Sequence, residues 1–285
     1  MTSRLSFFKY SATGNDFVLF DNRGQRFRGD EAALFEKICR RKTGVGADGI
    51  LLIENPRRED CDFTMRYFNR DGRESEMCGN GARASAYHAA TNKLAPHVMR
   101  FEVSGDVYHA TVEGTQVQLL MQTPRDLRVR PGVVSSSNKK NDTPLAPLKG
   151  GITMEEAGFV NTGVPHYVLF APNVETIDVE SIGRELRHHP AFAPSGTNVN
   201  FVEVLAPSRV KLRTYERGVE EETLACGTGA TAAALFTHML RGHEFPIHLQ
   251  TCGGELLVRR DPATERFILQ GEVQLVFTGE FELCN

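Results

Sequence analysis

The chain has 285 residues, enough for one large domain or two ordinary ones that each bury a core. Apolar residues make up 40% and charged residues 24%, which is the composition of a folded globular protein and excludes a disordered or collagen-like chain. A formal net charge of −3 gives no reason to expect nucleic acid or an anionic membrane as a partner.

The elements read in chain order as follows. Residues 5–10 and 17–21 form strands around a polar turn, and Asp30 is placed to cap a helix that runs to about Lys42, with Leu34, Ile38 and Arg41 at helical spacing. Residues 50–54 are a short apolar strand. In residues 63–68, Phe63, Met65 and Tyr67 alternate with Thr64, Arg66 and Phe68 in a strand that leads toward Cys78. Strands follow at 107–111 and 117–121. Ser, Asn, Lys and Pro collect between Pro131 and Gly150, which predicts an exposed connection or insertion. Residues 159–170 read as strand, turn and strand around Gly163 and Pro165. Asp178 is placed to cap a helix that ends near His188 and His189, before Pro190. Residues 210–215 form the strand that leads to Cys226, and 255–258, 267–270 and 273–283 are further strands. Strands and helices mix without a regular βαβ rhythm, so the predicted class is α+β.

Residues 1–10 lack the apolar stretch of a signal peptide, and no apolar run is long enough to span a bilayer. A cytoplasmic protein is expected. The six cysteines are Cys39, Cys61, Cys78, Cys226, Cys252 and Cys284, and none forms Cys-x-x-Cys. That spacing argues against a disulfide framework and against a zinc site, so no metal is expected.

One phrase occurs twice: Cys78-Gly79-Asn80-Gly81 and Cys226-Gly227-Thr228-Gly229, each followed at once by Ala-rich sequence. The surroundings repeat as well. Arg66 precedes the first cysteine by 12 residues and Arg213 precedes the second by 13. Ser104-Gly105 and Cys252-Gly253 each begin 26 residues after their cysteine. Residues 13–18 also loosely match 195–202. A repeat of this length means duplicated domains rather than a solenoid.

A thiol, two glycines and a helix start form a small chemical device. The glycines permit a tight turn, and the N–H groups and positive dipole of the helix start favour an anion, either a thiolate or a carboxylate. Two such devices on opposite faces of a substrate suit inversion at carbon: a thiolate removes a proton from one face and a thiol delivers one to the other. Cysteine suits the task because its ordinary pKa, about 8.5, lies near working pH. The N–H groups of Gly79, Asn80, Gly227 and Thr228 are placed to bind an amino acid carboxylate and to stabilise the developing charge. Nothing in this chemistry requires a pyridoxal cofactor, and the chain has no lysine motif for one, so no cofactor is expected.

The residues around both cysteines resemble the signatures of the diaminopimelate epimerase family. Residues 77–83 (Met-Cys-Gly-Asn-Gly-Ala-Arg) resemble the first signature, and 215–230 resemble the longer, more specific second one. Residues 14–17, 68–72, Pro165-His166 and Thr197-Asn198 also match, in family order, so the resemblance covers essentially the whole chain. It implies a cofactor-independent isomerase that interconverts LL- and meso-2,6-diaminopimelate, in lysine and peptidoglycan precursor biosynthesis. It implies two pseudo-symmetric domains, 1–123 with 272–285 and 124–271, each a strongly curved sheet or barrel around a central helix, with the active-site cleft between them. Cys78 and Cys226 match the acid–base pair, and His166 and Glu216 match residues that tune the thiols. The backbone at Gly79-Asn80 and Gly227-Thr228 matches the carboxylate site. Asn15, Asn69, Asn198, Glu216 and Arg217 match residues that hold the rest of the substrate. That set suits a second amino acid end, which needs an arginine fork for its carboxylate and acceptors for its ammonium. The implied partners are a small-molecule substrate and a second copy of the chain in a homodimer.

Two departures stand out. Many family members carry Asn where this chain has Val164, and some carry Gln where it has Gly49. Without the resemblance, His166 also reads as a core or loop histidine, each asparagine as a turn residue, and Glu216-Arg217 as a surface ion pair. Another two-cysteine isomerase, such as a proline racemase, would carry His where this chain has Asn80. A thiol–disulfide redox protein would carry Cys-x-x-Cys.

Overall fold

The computed structural model describes residues 3–75, 77–130 and 156–283. The expected connection at 131–150 and the cysteine at 284 lie outside these residues. The chain forms two compact units, Met1–Leu120 with Gln270–Asn285, and Met121–Leu269.

In chain order the first unit contains β1 (Ser3–Ala12), β2 (Asn15–Asp21), α1 (Ala32–Cys39), β3 (Gly49–Glu54), β4 (Phe63–Asn69), β5 (Glu74–Ser75), α2 (Gly79–Thr91), β6 (Val98–Val103), β7 (Asp106–Glu113) and β8 (Gln116–Leu120). The second contains β9 (Arg125–Arg130), β10 (Glu156–Asn161), β11 (Pro165–Phe170), α3 (Val179–Arg187), β12 (Asn198–Ala206), β13 (Arg209–Glu216), β14 (Glu221–Thr223), α4 (Gly227–Arg241), β15 (Ile247–Thr251) and β16 (Gly254–Arg260). The last strand, β17 (Phe267–Leu283), begins in the second unit and returns to the first at Gln270.

The first unit is a closed ring of strands. β17 pairs antiparallel with β1, with Ser3 opposite Leu283, and β1 pairs with β2. The ring continues through parallel β2–β3, antiparallel β3–β4, parallel β4–β6 and antiparallel β6–β7–β8, and β8 closes it on β17. Closure pairs every strand of the ring on both sides. The second unit repeats the sequence of pairings: β10–β11 antiparallel, β11–β12 parallel, β12–β13 antiparallel, β13–β15 parallel and β15–β16 antiparallel. The α+β class holds, with a feature that periodicity alone did not reveal. Each of the four α-helices among the described residues lies between the two strands of a parallel pair, the crossover that parallel pairing requires.

α2 and α4 are the inner helices. α2 packs against β1, β2, β3, β4, β7 and β8, and α4 against β10, β11, β12, β13, β15 and β16. Alanine explains the fit: Ala82, Ala84, Ala86 and Ala89 in one helix and Ala230, Ala232, Ala233 and Ala234 in the other are wholly buried. Short side chains all round the helix let strands close on every side. α1 and α3 lie outside. α3 buries Val179, Ile182 and Leu186, at positions i, i+3 and i+7, in a core shared with Val199, Phe201 and Tyr215. β3 is therefore covered on both faces: Ile50 and Leu52 lie under Phe35 and Ile38 of α1, while Leu51 lies against Gly81 of α2.

The Asp178 cap is as expected, its carboxylate accepting from the Ser181 N–H at 3.1 Å. α1 differs. Its N-cap is Glu31 rather than Asp30, and the Glu31 carboxylate accepts from the N–H groups of Arg28 and Gly29, both at 2.8 Å. The helix also stops at Cys39, short of Lys42. The carbonyls of Ile38 and Cys39 accept from Gly46 and Ala47 of the returning loop, both at 3.0 Å, so no further turn can use them. Arg41 thus leaves the helix and reaches Asp16 and Asp48.

Candidate active site

Both cysteines cap an inner helix with nearly the same backbone: φ −121° and ψ 113° for Cys78, φ −121° and ψ 114° for Cys226. In each copy the first helical bond runs to the cysteine carbonyl, from Ala82 and Ala230, at 2.8 Å. The N–H groups of Gly79-Asn80 and Gly227-Thr228 therefore stand at the positive end of a helix inside its own unit. Cys78 is partly exposed and Cys226 buried.

The two caps differ in hydrogen-bond polarity. In the first unit the Gly81 N–H donates to Cys78 Sγ at 3.4 Å, an arrangement that favours a thiolate. The neighbouring Asn80 amide donates to Asn15 Oδ1, and Asn15 Nδ2 donates to Asp48 Oδ2 at 3.0 Å. Asp48 belongs to an ion cluster with Arg41, Asp16 and the buried Lys9, which also donates to the Gly46 carbonyl. Arg41 and Lys9 hold the Asp16 carboxyl below its ordinary value against the opposing effect of burial. The cluster fixes Asn15, and Asn15 fixes Asn80.

In the second unit Cys226 Sγ lies 3.4 Å from Thr228 Oγ1, and Thr228 Oγ1 lies 2.9 Å from His166 Nε2. His166 Nδ1 lies 2.8 Å from Asn200 Oδ1, and Asn200 Nδ2 donates to Thr214 Oγ1 at 2.8 Å. The chain of bonds has one consistent direction. The Asn200 amide spends its N–H on Thr214, so its oxygen accepts from His166 Nδ1–H. His166 Nε2 is then the acceptor for the Thr228 hydroxyl, and the Thr228 oxygen is left to accept from the Cys226 S–H. Burial pulls His166 down to about 4, so the ring is neutral at neutral pH, as this direction requires. Gly229 makes the packing feasible: a Cβ there would lie 2.4 Å from Asn200 Nδ2 and 3.3 Å from His166 Cε1.

The remaining residues named from the sequence fall into two groups. Asn198 opens β12 with its Nδ2 on the Pro165 carbonyl at 2.8 Å and its Oδ1 accepting from the Arg217 N–H at 2.8 Å. Glu216 ends β13, and Arg217 follows in a tight turn closed by the Glu220 N–H on the Glu216 carbonyl at 2.8 Å. Asn69 ends β4 in register with Gly49. Asn15, Asn69, Cys78, Gly79 and Asn80 belong to the first unit; His166, Asn198, Glu216, Arg217, Cys226, Gly227 and Thr228 belong to the second. Of the two departures, Val164 lies in the β10–β11 turn, its carbonyl accepting from the Thr162 N–H at 3.2 Å. At Gly49 a Cβ would lie 2.5 Å from both the Phe68 carbonyl oxygen and Tyr67 Cε2, so the Tyr67 ring occupies the space a longer side chain would need.

Sequence reading missed Thr13, Asp48, Arg83 and Asn200. Asn200 had a usable signal, since it stands two residues after Asn198 on a strand and so shares its face. The other thiols are unlike the pair. Burial pushes the Cys39 thiol up to about 12, and Cys252 lies exposed in the β15–β16 turn.

The depressed value of His166 makes stability pH-dependent. The unfolded chain takes up a proton near 6.5, the folded chain only near 4, so the unfolded state binds more protons between these values and stability falls as pH falls. The loss is about 1.4 kcal/mol for each pH unit across that window and stops below it. His88, held near 4 by burial beside Tyr10, adds a second contribution of the same sign. Urea unfolding at pH 7, 5.5 and 4.5 is expected to show a smaller decline for His88→Gln than for the unaltered chain. Equal declines would refute this histidine's contribution.

Among the described residues no cluster of three or more His, Cys, Asp or Glu side chains could hold a metal ion, and no helix is long and apolar enough to cross a membrane. The family model described as Diaminopimelate epimerase matches residues 7–125 and 158–276, one span on each repeat. A diaminopimelate epimerase of Aquifex aeolicus (strain VF5) is 38% identical, covering 96% of this chain and 97% of its own. One of Flavobacterium psychrophilum is 35% identical, covering 96% and 98%. Among solved structures, a Bacillus anthracis phenazine biosynthesis protein of the PhzF family superposes with a TM-score of 0.70 over 99% of this chain and 100% of its own, at 16% identity, which speaks for the fold alone.

Proposed function

The chain belongs to the diaminopimelate epimerase family, a family of isomerases, and on that premise we propose that it interconverts LL- and meso-2,6-diaminopimelate by proton transfer between two thiols, without a cofactor. The observation that carries this reading is the pair of cysteine caps with matched backbone and opposed polarity. The Gly81 N–H favours a thiolate at Cys78, and Thr228 favours a thiol at Cys226. One base and one acid are thus present together, the state that a single inversion consumes. After one turnover the two roles are exchanged, and the reverse reaction restores them.

The chemistry follows from these positions. Cys78 removes the α-proton while Cys226 delivers one to the other face. The α-carbon of an amino acid is a very weak acid, so charge developing on its carboxylate must be met by fixed donors. The N–H groups of Gly79, Asn80, Gly227 and Thr228 at two helix starts supply them. Asn15, Asn69, Asn198, Glu216 and Arg217 hold the rest of the substrate, with Arg217 opposite the distal carboxylate and Glu216 opposite the ammonium. His166 acts on Cys226 through Thr228, and Glu216 joins it in tuning the thiols. The N-terminal domain, 1–123 with 272–285, supplies Cys78, and the C-terminal domain, 124–271, supplies Cys226.

The enzyme serves lysine and peptidoglycan precursor synthesis in the cytoplasm and works as a homodimer. Leu275, Val276 and Phe277 on β17 form an exposed apolar run of the kind that subunit faces use, which supports the last point. The test is exchange. LL-diaminopimelate incubated in D2O with reduced enzyme and no added cofactor is expected to gain deuterium at one α-carbon and to equilibrate with the meso form. Folded, reduced enzyme that leaves the substrate unlabelled would sink the proposal.

A further inference from the structure

Arg83 is the bulkiest wholly buried side chain on α2. Its Nη2 donates to Thr13 Oγ1 at 2.9 Å and to Asn80 Oδ1 at 2.8 Å, and its Nη1 lies 3.5 Å from the Gly79 carbonyl. Its Nε has no partner. Among the described residues no carboxylate forms an ion pair with it. A buried cation whose hydrogen-bond partners are all neutral is costly to fold around. Burial pulls it down to about 10, which still leaves it charged at neutral pH, and the charge that acts in the opposite sense is that of Cys78.

The repeat shows what is special here. Five residues after the other cysteine stands Thr231, whose hydroxyl donates to the Gly227 carbonyl at 3.1 Å. Both copies therefore bond this position back to the carbonyl that follows the cysteine. Only the first copy adds a positive charge.

We propose that Arg83 is a positioning residue for the first thiol: its buried charge holds Cys78 as the thiolate, and its fork orients Asn80 and, through it, Asn15. The proposal rests on the two-thiol reading above. Other charges around α2 are already balanced. Lys9, Arg41, Asp16 and Asp48 form a cluster of two cations and two anions. Across β3, β4 and β5, Arg66 pairs with Glu54 and Glu74. On β2, Asp21 pairs with Arg23. His88 and Tyr10 bond each other, both held in their neutral forms by burial. Asp106, His109 and Glu113 on β7 are exposed. Arg83 is the unbalanced charge.

The test is the pH dependence of Cys78 alkylation by iodoacetamide, read peptide by peptide with Cys226 as the internal reference. Arg83→Met is expected to raise the Cys78 midpoint by about one pH unit or more. It should slow alkylation at pH 7 about tenfold, leave Cys226 unmoved, and carry the acid limb of the kcat/KM profile upward with it. Arg83→Lys keeps the charge and loses the fork, so the midpoint stays while KM for diaminopimelate rises. If Arg83→Met does not fold, Arg83→Gln takes its place with the same expected shift. A folded, neutral variant with the unaltered Cys78 midpoint overturns the proposal, as does an equal shift in the Lys variant. The readout needs no substrate turnover, so failure of the D2O exchange would count against the proposed reaction and leave this measurement standing.

Discussion

Cys78→Ala and Cys226→Ala are each expected to lower epimerisation about a thousandfold, within the range that positioned acid–base groups contribute. The two variants should differ in what survives. Without Cys226, the Cys78 thiolate still reaches one face of the α-carbon, so one epimer exchanges its proton with D2O and is returned uninverted. Without Cys78, the remaining thiol donates to Thr228 and is a poor base at neutral pH, so exchange is slow for both epimers. Proton NMR of each epimer in D2O separates these cases. A single variant that inverts its substrate within tenfold of the unaltered rate would refute the paired mechanism. Neither substitution removes much buried volume, so a folded protein is expected in both cases, and thermal unfolding checks it.

Thr228→Val is expected to damage both stability and activity, because one hydroxyl serves two partners. Valine matches threonine in shape and lacks the oxygen. His166 Nε2, inside a wholly buried ring, then loses its donor. A buried acceptor left unsatisfied costs about 1–3 kcal/mol, which lowers Tm by about 2–10 °C in a chain of this size. Cys226 loses its acceptor in the same step, and kcat/KM should fall about tenfold to a hundredfold, in line with loss of one buried hydrogen bond at a reacting group. Thr228→Ser restores the hydroxyl and should recover most of both. If Val and Ser behave alike in melting and in turnover, the hydroxyl has no such role.

The His166 chain also shows how the two cysteines can share a sequence phrase and differ in surroundings. Asn80 and Thr228 occupy the same place in the repeat. An asparagine there turns its amide toward Asn15, whereas a threonine turns its hydroxyl toward a histidine. Thr228 thereby sets a hydroxyl beside Cys226 Sγ, whereas Cys78 Sγ meets the backbone N–H of Gly81.

Much of the site was legible in the residues themselves. The two Cys-Gly-x-Gly phrases, the alanine runs behind them, the Asp178 cap and the strands at 50–54 and 210–215 are local patterns. Caps, glycine turns and periodicity act within a few residues, so they can be read without neighbours. The repeat was legible because spacing survives divergence of the residues between. The α1 terminus was misread for the same reason that the others succeeded: its last carbonyls are taken by Gly46 and Ala47, contacts that no helical rule anticipates.

By itself the sequence determined two thiols at two helix starts, a duplicated fold and the substrate class that its signatures resemble. Only the tertiary structure decided how those thiols differ. Arg83 looks like an ordinary helical arginine until the strand ring of the first unit closes through β17, with Leu283 beside Ser3, and leaves its charge away from water. His166 looks like a loop histidine until β11, β12 and β13 bring it to Asn200, and Asn200 to Thr214, inside the second unit. Gly49 looks like a lost contact until Tyr67 is seen against it. Burial and the direction of a hydrogen bond depend on residues far apart in the chain, and these distinguish the surroundings of the two sulfurs.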